Sequence, residues 1–210
     1  MAVPSVVLAI PVVAGICAWS ACHPHTQVFG RTRRRTRRHR TLALTFDDGP
    51  NPAVTPRLLD LLDRYDARAT FFVIGRYVRA CPALAAEIAR RGHSLGNHTD
   101  THPNLLWLSR TQVLNELARC DDAILQATGQ RTAIMRPPYG YRAPQVHAAA
   151  RQAGLDPPIM WSTTARDWTS QPIAKLMRRL QRVQAGDIVL MHDGSHRALG
   201  GDRRQTVQAL

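Results

Sequence analysis

From Thr41 onward, short runs with strand character alternate with stretches that carry a helical apolar stripe, and that order leaves few folds open. Thr41 to Phe46 (TLALTF) puts Leu42, Leu44 and Phe46 on one face and stops at Asp-Asp-Gly-Pro, so it reads as a strand running into a loop. Thr55 then serves as a helix N-cap with Pro56 at the first helical position, and Leu58, Leu59, Leu61, Leu62 and Tyr65 form one stripe. Further strands are predicted at Ala69 to Ile74, around Ser94 to Gly96, near Ala133 to Met135, near Ile159 to Thr163 and at Asp187 to Met191. Helices are predicted at Pro82 to Arg91, closed by Gly92, and from a Ser109/Gln112 capping box to about Gln126, closed by Gly129. Others span Pro144 to Ala153, Pro172 to Val183 and Arg203 to Leu210. Strand-helix alternation implies an α/β fold with a parallel sheet, either closed as a barrel or open and doubly wound.

Polar clusters fall just after the strands: DDGP, NHTDTHP, RPPYG, ARDW and HDG. That is where barrels and open α/β sheets place their sites, and the coincidence at five strand ends points to an enzyme. Asp47 and Asp48 are adjacent and can serve different partners, one binding a cation and one handling a proton; alone, Asp-Asp-Gly is a turn. His98 and His102 are spaced i, i+4, which on a helical turn brings two imidazoles to metal-ligand separation. The metalloprotease pattern H-E-x-x-H is not met, because Thr99 stands where the glutamate would be. A third ligand and a base must then come from elsewhere, and Asp48 and Asp47 can supply them. Two histidines and one carboxylate leave positions open for water and substrate, as catalytic rather than structural sites do. Read singly, Arg136 is an ordinary surface charge, and Asp167-Trp168 and His192-Asp193 are loop polar groups beside a half-buried aromatic.

With 210 residues and 44% hydrophobic content, the chain is a single globular domain by default, and disordered, collagenous and disulfide-scaffold classes fall away. The net charge of +13 is concentrated: no acid precedes Asp47, whereas Arg31 to Arg40 (RTRRRTRRHR) is dense in arginine. The rest is only moderately basic, so nothing implies specific nucleic-acid binding. No C-x-x-C occurs, which excludes a zinc ribbon; Cys81 and Cys120 read as buried free thiols, with a disulfide as the alternative for an exported domain. Residues 1–22 carry no charge and are expected to be a signal peptide or membrane anchor, with Ala18-Trp19-Ser20 as a small-x-small cleavage site. Residues 23–40 read as a solvated Arg-rich linker touching lipid head groups or anionic polymer. An uncleaved helix would leave the arginines, and the domain with them, in the cytoplasm, so orientation stays open.

TFDDGP (Thr45 to Pro50), HTDTHP (His98 to Pro103), RPPYG (Arg136 to Gly140), DW (Asp167, Trp168) and LMH (Leu190 to His192) resemble, in order, the five motifs of the polysaccharide deacetylases, carbohydrate esterases sharing the nodulation-protein-B homology domain. The resemblance covers residues 41–210. It implies an irregular (β/α) barrel of about seven strands, of which the last element is truncated here, because the chain stops at Leu210 inside a helix. It implies exported or membrane-tethered removal of N-acetyl groups from peptidoglycan or chitin-type oligosaccharides. By matched position, Asp48, His98 and His102 would bind the cation, most often Zn2+, with Co2+ or Ni2+ substituting, and Asp47 would be the general base. The cation would acidify water and polarise the acetyl carbonyl, the Tyr139 N–H would help stabilise the oxyanion, and His192 would protonate the departing amine. Arg136 would hold Asp47, Asp167 would keep His192 cationic, and Trp168 and Leu190 would line the acetyl pocket. His93, His147 and His196 match no motif and are expected at the surface or in loops. Two other readings stay open: a deacetylase of another acyl substrate, such as O-acetylated xylan or a small molecule, and an inactive glycan-binding module.

Overall fold

The computed structural model describes residues 5–36 and 40–210 of the chain. Five strands, β1 (Ala43–Gly49), β2 (Ala69–Val73), β3 (Ser94–Asn97), β4 (Thr163–Thr164) and β5 (Ile188–His192), form one sheet in the order β3-β2-β1-β5-β4. All pairings are parallel, as the alternation requires, because each strand returns through a helix. The helices are α1 (Ser5–Cys22), α2 (Thr55–Arg64), α3 (Gly75–Ala80), α4 (Pro82–Arg90), α5 (Arg110–Thr128), α6 (Pro144–Gln152), α7 (Ile173–Leu180) and α8 (Arg204–Ala209). Among the described residues there are five regular strands rather than about seven. Met135 makes one bridge to Asn97, and the Ile159 N–H donates to the Met135 carbonyl at 2.8 Å. The segment then runs on into β4 beside β5, so the ring is closed by an isolated bridge and a lone bond rather than by ladders.

The apolar faces explain the helices. Leu58, Leu59 and Leu62 of α2 pack with Phe46, Phe71, Val73, Ile88, Ile124 and Met191 in the main core. Tyr65 leaves that stripe and is 72% exposed. The α5 capping box is formed as the sequence predicts, and Gly129 ends the helix at φ 74°. Thr55 is not an N-cap: it lies inside α2 after Val54, and its hydroxyl accepts from the Asn51 N–H and donates to the Asp193 carboxylate.

Part of the stretch expected to be a solvated linker is instead paired with the domain. Arg33 bridges Ile159, Arg35 bridges Asp187 and forms an ion pair with it at 3.2 Å, and the Thr36 N–H donates to the Gly186 carbonyl. Upstream, the buried Arg142 guanidinium donates to the His23 carbonyl at 2.6 Å, and its backbone N–H donates to the Ala21 carbonyl at 2.9 Å. Residues 1–4 of the expected leader and residues 37–39 of the arginine run lie outside the described residues. Among those described, no helix is long and apolar enough to cross a membrane.

Candidate active site

Alternation along a strand sends adjacent side chains to opposite faces, so Asp47 and Asp48 would diverge if β1 were regular. It is not: the β1–β2 register shifts between Asp47 and Gly49, and Asp48 takes φ 70°. This irregularity re-aims Asp48, and both carboxylates are buried at the carboxyl end of the sheet. A side chain on Gly194 would collide with the Asp48 carbonyl, so the loop after β5 presses against this bend.

His98 and His102 do not sit on a helical turn. They belong to the loop after β3, where Thr99 (φ 67°) and His102 (φ 62°) are left-handed. Asn97 Oδ1 accepts from the Thr99 N–H, Thr99 Oγ1 accepts from the His102 N–H, and Glu116 Oε2 accepts from the N–H groups of Asp100 and Thr101. The folded loop brings the ring centroids to 4.9 Å, with His98 Nε2 3.6 Å and His102 Nε2 3.3 Å from Asp48 Oδ1. Asp48 Oδ1 is buried and has no hydrogen-bond partner, an arrangement too costly to persist without a ligand.

The three groups fit a divalent cation chemically as well as by distance. His98 Nδ1 lies 2.7 Å from the Arg136 carbonyl, which only accepts, so Nδ1 carries the proton and Nε2 offers its lone pair. Burial and the neighbouring His98 push the His102 pKa down to about 3, against the pull of Asp48, so this ring is neutral. Burial opposes the charge on Asp48, yet His196, His102, His192 and His98 hold its pKa well below the usual carboxylate range.

Asp47 faces the same space from the other side, its Oδ2 3.8 Å from His98 Nε2. Arg136, fully buried, donates to Asp47 Oδ1 at 2.6 Å and to Thr45 Oγ1 at 2.8 Å, and lies 4.2 Å from the Phe72 ring centroid. Across the cavity, Asp167 accepts from His192 Nδ1 at 2.9 Å, from the His192 N–H at 2.7 Å and from Thr206 Oγ1 at 2.8 Å. Burial disfavours the His192 cation, but Asp167, reinforced by Asp48 and Asp47, raises its pKa to about 9.

One cavity of about 610 Å³ is lined by Asp47, Asp48, His98, His102, Tyr139, Trp168, Leu190 and His192, while Arg136 and Asp167 hold Asp47 and His192 from outside the lining. Tyr139 has φ 59°, strained for a residue with a side chain, and the next position tolerates only glycine: at φ 72°, a Cβ on Gly140 would meet Trp161 Cη2 at 2.6 Å.

A description of the polysaccharide deacetylase family matches residues 34–158. The chain belongs to this family. It is 34% identical to the chitooligosaccharide deacetylase of Azorhizobium caulinodans, over 87% of this chain and 90% of that protein. It is 37% identical to the peptidoglycan-N-acetylglucosamine deacetylase of Bacillus cereus, over 80% of this chain and 78% of the relative. A family pseudoenzyme from Bacillus anthracis shares the fold at a TM-score of 0.73 and 28% identity, covering 85% of this chain and 64% of that one. Family membership therefore gives the barrel-like fold, while activity has to be argued from the side chains.

Of the three histidines outside the motifs, His93 and His196 lie in loops as expected, whereas His147 lies inside α6. His93 and His147 are buried, His93 Nδ1 accepting from the Ala69 N–H and His147 Nδ1 lying 3.8 Å from Asp156. His196 lines the cavity, its Nδ1 3.5 Å from Asp48 Oδ2 and its ring stacked on His102 at 4.4 Å. It stands four residues after His192 in a loop without periodicity, and only that proximity hinted at the site. Of the expected thiols, Cys120 is buried and Cys81 half-buried, and both are free.

Proposed function

We propose that this protein is a metal-dependent N-deacetylase of amino-sugar polymers, acting on N-acetylglucosamine units of peptidoglycan or chitin-type chains. One observation carries the reading: a buried Asp-His-His group, an arginine-held aspartate and an aspartate-held histidine converge on one cavity. The names of the relatives support the substrate class.

In this reading Asp48, His98 and His102 hold the cation, Zn2+ by ligand type, with Co2+ or Ni2+ able to replace it. When bound there, such a cation acidifies water and polarises the acetyl carbonyl. Asp47, oriented by Arg136, removes the proton of the attacking water, and the Tyr139 N–H steadies the charge on the former carbonyl oxygen. His192, kept protonated by Asp167, delivers a proton to the amine nitrogen, which leaves poorly without it. Leu190 and Trp168 enclose the acetyl methyl and keep bulk water off it. The catalytic domain in this reading is residues 41–210, with export to the cell envelope by the N-terminal segment.

The test is acetate release from N-acetylglucosamine oligomers and from peptidoglycan by the full chain, stripped of metal and then supplied with Zn2+. Release restored by Zn2+ is expected. Folded, Zn2+-loaded protein that releases acetate only from O-acetylated substrates, or from none, overturns the proposal.

A further inference from the structure

The two oxygens of Asp48 face different neighbours. Oδ1 looks toward His98 Nε2 and His102 Nε2, whereas Oδ2 lies 3.5 Å from His196 Nδ1. The His196 ring is stacked nearly parallel on that of His102, at 11° and 4.4 Å between centroids, and stands edge-on to Tyr139 at 5.4 Å. One imidazole thus touches a carboxylate and a histidine that meet at the same point.

Its own placement is fixed from outside the site. Arg76 Nη2 donates to the His196 carbonyl at 2.5 Å, the Tyr77 hydroxyl donates to the Ser195 carbonyl at 3.0 Å, and Arg203 Nε donates to the Gly194 carbonyl at 2.8 Å. The loop after β5 is therefore pinned to α3 on one side and to the start of α8 on the other. His102 Nδ1, by contrast, is buried without a partner, so no second hydrogen bond orients that ring. Ring contacts are left to do it: His98 and Tyr139 edge-on at 4.9 and 4.7 Å, and His196 stacked face to face at 4.4 Å.

A carboxylate ligand turns about its Cβ–Cγ bond and presents either oxygen, so a monodentate geometry needs one oxygen to be engaged elsewhere. We propose that His196 is a positioning residue of the cation site: its Nδ1–H restrains Asp48 Oδ2 and its ring face backs His102, so that Asp48 Oδ1 and His102 Nε2 converge. The inference rests on the assignment of Asp48, His98 and His102 as ligands and assigns to His196 no direct bond to the cation.

The experiment titrates metal-stripped full-length protein with Co2+ and Zn2+ in competition with a chromophoric chelator and records the visible spectrum of the Co2+ form. His196→Ala should weaken both affinities by about 10- to 100-fold. His196→Asn, whose amide N–H sits near the place of Nδ1, should recover part of that loss. The Co2+ band positions should stay those of the wild type in both variants. Wild-type affinity in His196→Ala, or an equal loss in the Asn and Ala variants, overturns the positioning role while leaving the cation site standing. A Co2+ spectrum altered as by loss of a nitrogen ligand also overturns it, making His196 a ligand. A wild-type chain that binds neither cation overturns the ligand assignment itself.

Discussion

Replacing Asp167 by Asn probes the acid half of the site without touching Asp48, His98 or His102. His192 has a pKa of about 9, so at pH 7.5 about 97% of the molecules carry the imidazolium. Burial alone would push that pKa down, and the contact that most opposes burial is the 2.9 Å pair with Asp167. Without the carboxylate the pKa falls to about 6.5 or lower, leaving at most about 10% protonated at pH 7.5. The expected result is a loss of about tenfold or more in kcat/KM at that pH. The alkaline limb of the pH profile should move from about 9 to 6.5 or below. A bound cation lowers both limbs together, so the difference between wild type and variant remains. Stability follows the same linkage. The charged His192 contributes fully below about 6.5 and loses its contribution as pH rises through about 9, so the variant's deficit, on the order of 3 kcal/mol, should narrow above that range. Kinetics from pH 6 to 10 on folded, cation-loaded protein decide the matter. An alkaline limb that does not move in the variant would show that Asp167 does not set the charge of the acid.

Asp47→Asn should lower turnover by about 10²- to 10⁴-fold while keeping the cation, and His98→Ala should lose the cation as well; metal content after gel filtration separates the two, and cation loss in the Asp47 variant alone would reverse the roles of the aspartates. Arg136→Met leaves the buried Asp47 carboxylate without its 2.6 Å partner and should cost about 3–5 kcal/mol in denaturant unfolding; a loss below 1 kcal/mol would show that Asp47 finds another partner. In metal-free protein the His192 ring should titrate near pH 9 by NMR and His102 should stay neutral down to about pH 3; a neutral His192 at pH 7 contradicts the general-acid assignment.

Much of the fold is legible in the sequence. The period of two in TLALTF, the Ser109/Gln112 capping box and the polar clusters after each strand are local signals, and the elements they mark formed close to where they were expected. The convergence of these clusters on one cavity is legible for the same reason, since clusters at strand ends meet at one end of a parallel sheet. What escaped was non-local. The strand expected near Met135 shrank to an isolated bridge, and that expected from Ile159 shortened to Thr163–Thr164, because ring closure depends on distant partners rather than on propensity. His98 and His102 converge through left-handed backbone at Thr99 and His102, which helical spacing does not describe. His196 reaches the site only because Arg76 and Tyr77, more than a hundred residues away, hold its loop.

The sheet order explains why the proposed base and acid, Asp47 and His192, end up facing each other. β1 is central, so its carboxyl end borders the β2–β3 side, which supplies His98 and His102, and the β5–β4 side, which supplies His192 and Asp167. Within that frame Asp47 and His192 are register partners in the β1–β5 pairing. Neighbouring strands lie about 4.8 Å apart, so backbone hydrogen bonding, rather than any contact between the two side chains, fixes the gap across which a proton would be taken and another given. A slip of one residue would turn His192 to the opposite face and separate it from Asp167. Thr45 guards against that slip, because its hydroxyl donates to the Val189 carbonyl across the same pairing and accepts from Arg136, the residue that orients Asp47. Strand register and Asp47 orientation thus share one buried hydroxyl, and the spacing of Asp47 and His192 is a property of the sheet.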